Sequence, residues 1–295
     1  MKKLKPVTIC LVIALILFQH ISRGSYYKGL ITGEISGNYG KLYTILQVGL
    51  DFIIDIFTII LGIAALSYSD LQVRDRAYSI FRFVYVMTGF LALPTVVFSL
   101  VISGGMFFND PATGFVIISR HLIWITLIVL LLICKPENPI KKVNLQEYDM
   151  VAYTSIGHRF VHYLLDYFLI LPFWMSAASF LYVFNYMVFG SASYSSANPT
   201  LFYLYYFVSY LLYYFLAEAI FRQTLGKMVT RSCVVSDGVQ LSTGRILLRT
   251  LSRLIPFDPI AFLFGAKWHD RVSSTAVVYI DSWEKVFEEE KGVKD

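Results

Sequence analysis

Two sets of ionisable residues lie where an apolar chain should carry none. The first is in the stretch Gly157–Pro172, where Arg159 opens an apolar run and Asp166 lies inside it. Their spacing is about two helical turns, so both side chains share one face, roughly 10 Å apart along the axis. A lone carboxylate in hydrocarbon needs a counter-ion, a proton or water. The chemistry on offer is proton or cation handling, or a structural ion pair with Arg159 or with the arginines Arg249 and Arg253. The second set is Asp51 and Asp55, spaced i,i+4 and so stacked on one face. Arg120 sits at matching depth in another apolar run. Two stacked carboxylates resist joint ionisation, so pairing one with Arg120 leaves the other to titrate.

These runs belong to a strongly apolar chain. Of 295 residues, 57% are hydrophobic and 15% charged, and mean hydropathy is +0.62. Soluble domains carry about 25% charged residues. Apolar runs of membrane-spanning length recur along the chain. The expected fold is therefore an all-α polytopic membrane protein of about six transmembrane helices. The 21 Tyr and 24 Phe fit headgroup-level aromatics. A net charge of +5 reports loop orientation, and no nucleic-acid partner is expected. Cys10, Cys134 and Cys233 lack the spacing of a disulfide framework or a zinc site.

The expected spans run in order. Lys2, Lys3 and Lys5 precede the apolar run Pro6–Phe18, read as an uncleaved first helix. The second span is Leu42–Leu66 and holds Asp51 and Asp55. A short loop carries Arg74 and Arg76. The third span is Ala77–Ser103, with a kink at Pro94, and a loop follows at Gly104–Thr113. The fourth is Gly114–Cys134, the fifth runs from Arg159 to Val188, and the sixth is Leu201–Ile220. Basic residues gather at the N-terminus, near Arg74, in Lys135–Arg159 and in Arg222–Arg253, which places those segments and both termini in the cytoplasm. Arg23, Lys28 and Lys41 in an external loop run against this pattern.

Beyond Arg222 the pattern changes. Met228–Val235 reads as a strand, Ser236–Gly238 as a turn and Val239–Leu241 as a short return, a small cytoplasmic β-hairpin. Thr275–Ile280 reads as a further strand able to join it. Ser242 or Thr243 caps a helix reaching Ile255. Arg245, Arg249 and Arg253 stripe that amphipathic helix, which suits the cytoplasmic membrane interface. Pro256–Ala266 is too short to span and reads as re-entrant or interfacial. The tail from Asp281 reads as an exposed helix.

Taken together, Arg159 and Asp166, the run Gln223-Thr224-Leu225-Gly226-Lys227, the Val-Val-x-Asp-Gly turn, the arginine helix, Trp268-His269-Asp270-Arg271 and Ser274-Thr275-Ala276-Val277-Val278 resemble the RDD family of bacterial membrane proteins. The resemblance covers about residues 150–280. It implies that Arg159 is the family's arginine, that Asp166 and Asp270 are its two aspartates, and that Thr224, Gly226 and Lys227 form its Thr-x-Gly-Lys element. Ser274 stands where relatives often carry Gly. The usual suggestion for the family is transport. Three segments follow: 1–149 as a four-helix membrane region, 150–280 as the RDD-like domain, and 281–295 as a polar tail.

The remaining candidates read two ways. Asp270 is either part of the charged site or a salt bridge pinning the C-terminal segment, and Glu218 at the inner end of the sixth span shares that ambiguity. Thr224–Lys227 lacks the upstream Gly of a phosphate loop. Gly226 suits a tight helix exit and Lys227 marks the inner headgroup level. His158 and His162 read as interface residues rather than metal ligands. No catalytic signature is present, so neither an enzyme nor a cofactor or metal is expected. The expected function is transport of an ion or small solute across the inner (cytoplasmic) membrane, with a small cation or proton as passenger or coupling ion. The alternative is a non-transporting scaffold whose Arg245, Arg249 and Arg253 gather anionic headgroups.

Overall fold

The computed structural model describes residues 4–22, 24, 28, 38–109, 111–136, 152–171, 199–236, 241–254 and 268–280. The chain forms two compact units. One comprises Met1–Asn138 with Leu171–Tyr205, and the other Pro139–Ile170 with Tyr206–Asp295.

In the first unit lie α1 (Leu4–Ser22), α2 (Asn38–Ser67), α3 (Leu71–Asn109) and α4 (Pro111–Ile133). α1 packs on α2 and α4, and α3 packs on the same two, so the four close into a bundle. Among the described residues, Leu4–Ser22, Val48–Ser67 and Gly114–Ile133 are long and apolar enough to cross a membrane. At 1.5 Å per residue, such helices match a hydrocarbon core of about 30 Å. They expose large apolar side chains such as Phe18, Ile60 and Leu122, which lipid tolerates and water does not.

Two segments expected as loops are largely helical. Arg74 and Arg76 lie in the first turns of α3, because the Asp70 carboxylate accepts from the Gln72 amide at 2.8 Å and starts the helix there. The expected loop Gly104–Thr113 is taken up by α3 through Asn109 and by α4 from Pro111. α3 also carries a buried charge in its apolar run. Arg82 is buried, with Nε donating to the Leu131 carbonyl at 2.5 Å and Nη2 to that of Leu132 at 3.2 Å. The Tyr78 hydroxyl donates to the Cys134 carbonyl at 2.7 Å. The orphan carbonyls at the end of α4 are thereby satisfied, and the cation meets the negative end of the helix dipole.

Within the second unit, Tyr153 and Thr154 lie along a strand described below, and a helix, α5, follows at 156–171. The expected fifth span beyond Leu171 falls outside the described residues, as do Pro256–Ala266 and the tail from Asp281. α6 (Pro199–Leu216) covers most of the expected sixth span and ends in a π-helical turn, Ala217–Phe221. Then come α7 (Leu225–Val229), β1 (Ser232–Ser236), α8 (Thr243–Ser252), α9 (Trp268–Ser273) and β2 (Thr275–Tyr279).

The strands differ from the expected hairpin. Met228 is helical, and β1 pairs antiparallel with β2 in the register Ser232↔Tyr279 to Ser236↔Thr275. The local return at Val239–Gln240 lies outside the described residues. Pairing with the distant strand buries both: β1 is buried throughout and β2 to Val278. A continuous apolar run suits a strand covered on both faces.

The helices of this unit are apolar outside and polar inside. On α5, Phe160, Leu164 and Phe168 are exposed while Arg159, His162 and Asp166 are buried. On α6 and its π turn, Leu204, Phe207 and Val208 are exposed while Tyr213, Tyr214 and Glu218 are buried. α8 exposes Leu247, Leu248 and Leu251 and buries Arg249 and Thr250. A protein in water puts these classes the other way round. The arrangement fits elements whose outer surface meets lipid and whose charges pair inside.

Candidate functional site

The buried faces of α5, α6, α7, α8 and α9 converge on one charged cluster. Glu218 sits on the π turn that ends α6 and has no exposed surface. Its Oε1 accepts from Lys227 Nζ at 2.5 Å and Arg253 Nη2 at 2.7 Å, and its Oε2 faces Arg249 Nε at 3.1 Å. Arg249 spans two acids: its Nη1 also pairs with Asp270 and donates to the Thr275 hydroxyl at 2.7 Å. Asp270 meets Arg159 Nη1 at 2.8 Å through its other oxygen. The Arg253 guanidinium lies 3.9 Å from the centre of the Tyr214 ring, a cation–π distance.

Asp166 has separate partners. Its Oδ1 accepts from the Tyr213 hydroxyl at 2.9 Å and from the Gly226 amide at 3.0 Å. Tyr213 in turn accepts from the Leu225 amide at 3.3 Å. The amides of Leu225 and Gly226 open α7, whose N-cap is the fully buried Thr224. Asp166 thus takes up an orphan amide at a helix start. Arg159 and Asp166 share one face of α5 yet bind different partners, as two turns of separation requires.

His162 holds the same floor from α5. Its Nε2 lies 2.5 Å from the Thr230 hydroxyl and 3.0 Å from that of Ser232. Gly226 packs against its backbone, where a Cβ would stand 2.5 Å from the His162 carbonyl oxygen. The expected role of Gly226 as the helix exit is therefore corrected. Arg222 takes that role with φ 59°, and Gly226 is required by close approach. A second corrected reading concerns α8. Its arginines do not stripe an outer face: Arg249 and Arg253 turn inward to the acids, and Arg245 donates to the Ser236 hydroxyl at 2.5 Å.

The electrostatics of Lys227 and Asp270 follow from this packing. Burial pulls Lys227 down to about 8 against the attraction of Glu218, with Arg249 and Arg253 adding to the fall. For Asp270, burial pushes upward, but Arg249, His269 and Arg159 outweigh it and hold the carboxyl well below its usual range.

A cavity of about 60 Å³ opens within the cluster, walled by Arg159, Asp166, Lys227, Arg249 and Arg253 among others. Arg159, Asp166, Asp270, Glu218, Lys227, Arg249 and Arg253 are thus brought together, with Thr224 and Gly226 at the edge. Asp51, Asp55 and Arg120 belong to the first unit, each half-buried. There Asp55 meets His20 Nε2 at 2.9 Å, a partner on α1 that depth matching did not suggest.

Residues 153–287 match the RDD family model. Neither curated proteins nor solved structures gave a significant match. With three spanning-length helices, the RDD match marks the chain as a membrane protein. Inside the RDD segment, its arginine at 159 binds the aspartate at 270 and not the one at 166. Ser274 has φ 49°, a left-handed conformation that Gly adopts without strain, which explains why Gly suits that place.

Sequence reasoning missed Tyr213 and Tyr214, whose residue type was assigned to headgroup level. Both lie within the RDD segment and are buried. The available signal was position: Tyr214 stands four residues before Glu218, the spacing that places two side chains on one helix face, and Tyr213 adjoins it.

Proposed function

We propose that this protein is a transporter of an ion or small solute in the inner membrane, with proton coupling through Asp166. The observation that carries the reading is the cavity that Asp166 lines together with Arg159, Lys227, Arg249 and Arg253. A buried carboxylate with its own hydrogen-bond donors, beside a space large enough for water, is the local chemistry a proton or cation relay requires. Lipid-facing leucines on α8 and inward-facing Arg249 and Arg253 favour this reading over a scaffold that gathers headgroups on a free arginine stripe. Both termini are assigned to the cytoplasm from the distribution of basic residues, and single-cysteine labelling from either side of the membrane tests that orientation.

The test of transport is flux in proteoliposomes. Asp166→Asn keeps the shape and the acceptor for Tyr213 while removing the charge. It is expected to abolish pH- or cation-dependent flux in protein that remains folded. Undiminished flux in that variant removes Asp166 from the mechanism.

A further inference from the structure

Arg159 is only 9% exposed and gives just one nitrogen, Nη1, to Asp270. Its Nε and Nη2 are buried without a partner among the described residues. These two nitrogens form the side-on edge of the guanidinium. Their N–H bonds point the same way, at the spacing of two oxygens on one carbon or phosphorus. Buried donors left unpaired are costly, so an edge of this kind calls for an acceptor. Arg159 also walls the cavity, whose 60 Å³ exceeds the roughly 10–15 Å³ one water needs.

Charge points the same way. Arg159, Lys227, Arg249 and Arg253 meet Asp166, Glu218 and Asp270. Among the described residues, these four cations line the cavity with one carboxylate, Asp166. A cleft lined mostly by one sign of charge favours a ligand of the other. Glu218 is engaged by Lys227, Arg249 and Arg253, and Asp270 by Arg159 and Arg249.

We propose that the cavity binds one oxyanion with two equivalent oxygens, held bidentately on Nε and Nη2 of Arg159. A free carboxylate and a lipid phosphodiester share that chemistry. The inference rests on the same site as the transport reading and names a ligand class for it. Binding is read without flux, so either can fail alone.

The experiment uses the full chain, delipidated in detergent. Calorimetric titrations compare sodium acetate with sodium chloride at matched ionic strength, and phosphatidylglycerol with diacylglycerol in mixed micelles. Saturable binding of acetate at least ten-fold tighter than chloride is expected if the source is a free carboxylate. Saturable binding of phosphatidylglycerol but not diacylglycerol, with no acetate response, assigns a headgroup instead. In either case Arg159→Lys, which keeps the charge and removes the fork, weakens binding ten-fold or more. Where that variant does not fold, selectivity of the unaltered protein decides. Equal responses to acetate and chloride with none to phosphatidylglycerol, or no saturable binding of any, overturns the proposal. So does a folded Arg159→Lys protein that binds as tightly as before. Acetate binding that survives in a flux-dead Asp166→Asn protein leaves both readings standing, whereas binding without flux in the unaltered protein removes only transport.

Discussion

Arg159 on α5 meets Asp270 on α9 at 2.8 Å, across 111 residues of chain. The pair ties the start of the RDD segment to its C-terminal part, and Arg249 holds Asp270 from the other side. Removing the acid leaves two buried guanidinium groups short of a counter-charge. Asp270→Asn is expected to destabilise the protein by about 3–5 kcal/mol, the usual cost of breaking a buried pair. Denaturant unfolding in detergent, followed by fluorescence of Trp268 and its neighbours, measures it. A loss below about 1 kcal/mol would mean the pair is solvated.

The same carboxylate makes stability depend on pH. Its folded pKa lies below the ordinary 3.8. The unfolded chain therefore takes up the proton first, and Asp270 contributes fully above pH 3.8 and progressively less as pH falls below it. Stability should decline with acid through this window, with a shallower slope in Asp270→Asn. Thermal unfolding between pH 6 and 3 compares the slopes, and equal slopes would count against the pairing.

Gly226 presses on the backbone of α5 at His162. The obstruction is backbone, so a side chain cannot swing aside. Gly226→Ala must push α7 from α5 and stretch the bond from the Gly226 amide to Asp166. The expected loss is about 1–3 kcal/mol or more, with transport, where measured, falling further than stability alone explains. A neutral Gly226→Ala would show that the two helices are not in close contact.

Ser274 makes the opposite prediction. It carries φ 49° at the turn into β2, where its amide donates to the Arg271 carbonyl at 3.2 Å and its carbonyl accepts from Arg245 Nη1 at 3.4 Å, both backbone contacts that glycine keeps. Ser274→Gly relieves the left-handed strain, partly offset by the greater freedom of glycine when unfolded. A gain of about 0.5–1 kcal/mol is expected, read as a higher denaturant midpoint at unchanged slope. A loss would place the hydroxyl in a structural role.

Much of the RDD segment was legible because its signals are local. Ser242 accepts from the Arg245 amide as the expected N-cap, and Thr275–Tyr279 forms the expected strand. Elements with ambiguous local signals were read less well. Met228 continues a helix begun at Thr224, since the strand pattern starts only where a distant partner exists.

By itself, the sequence determined that the chain is apolar enough for a membrane, that Leu4–Ser22, Val48–Ser67 and Gly114–Ile133 lie in spanning-length helices and which carboxylates are too costly to leave alone. Hydropathy and caps act over a few residues, so they are written in neighbouring positions. Only the tertiary structure decided who answers each charge. Asp166 turned to Tyr213 and Gly226, Arg159 turned to Asp270, and the arginines of α8 turned inward to Glu218 and Asp270. Ion pairing depends on distances of a few ångströms between residues far apart in the chain, and periodicity within one helix carries no information about the helix that faces it.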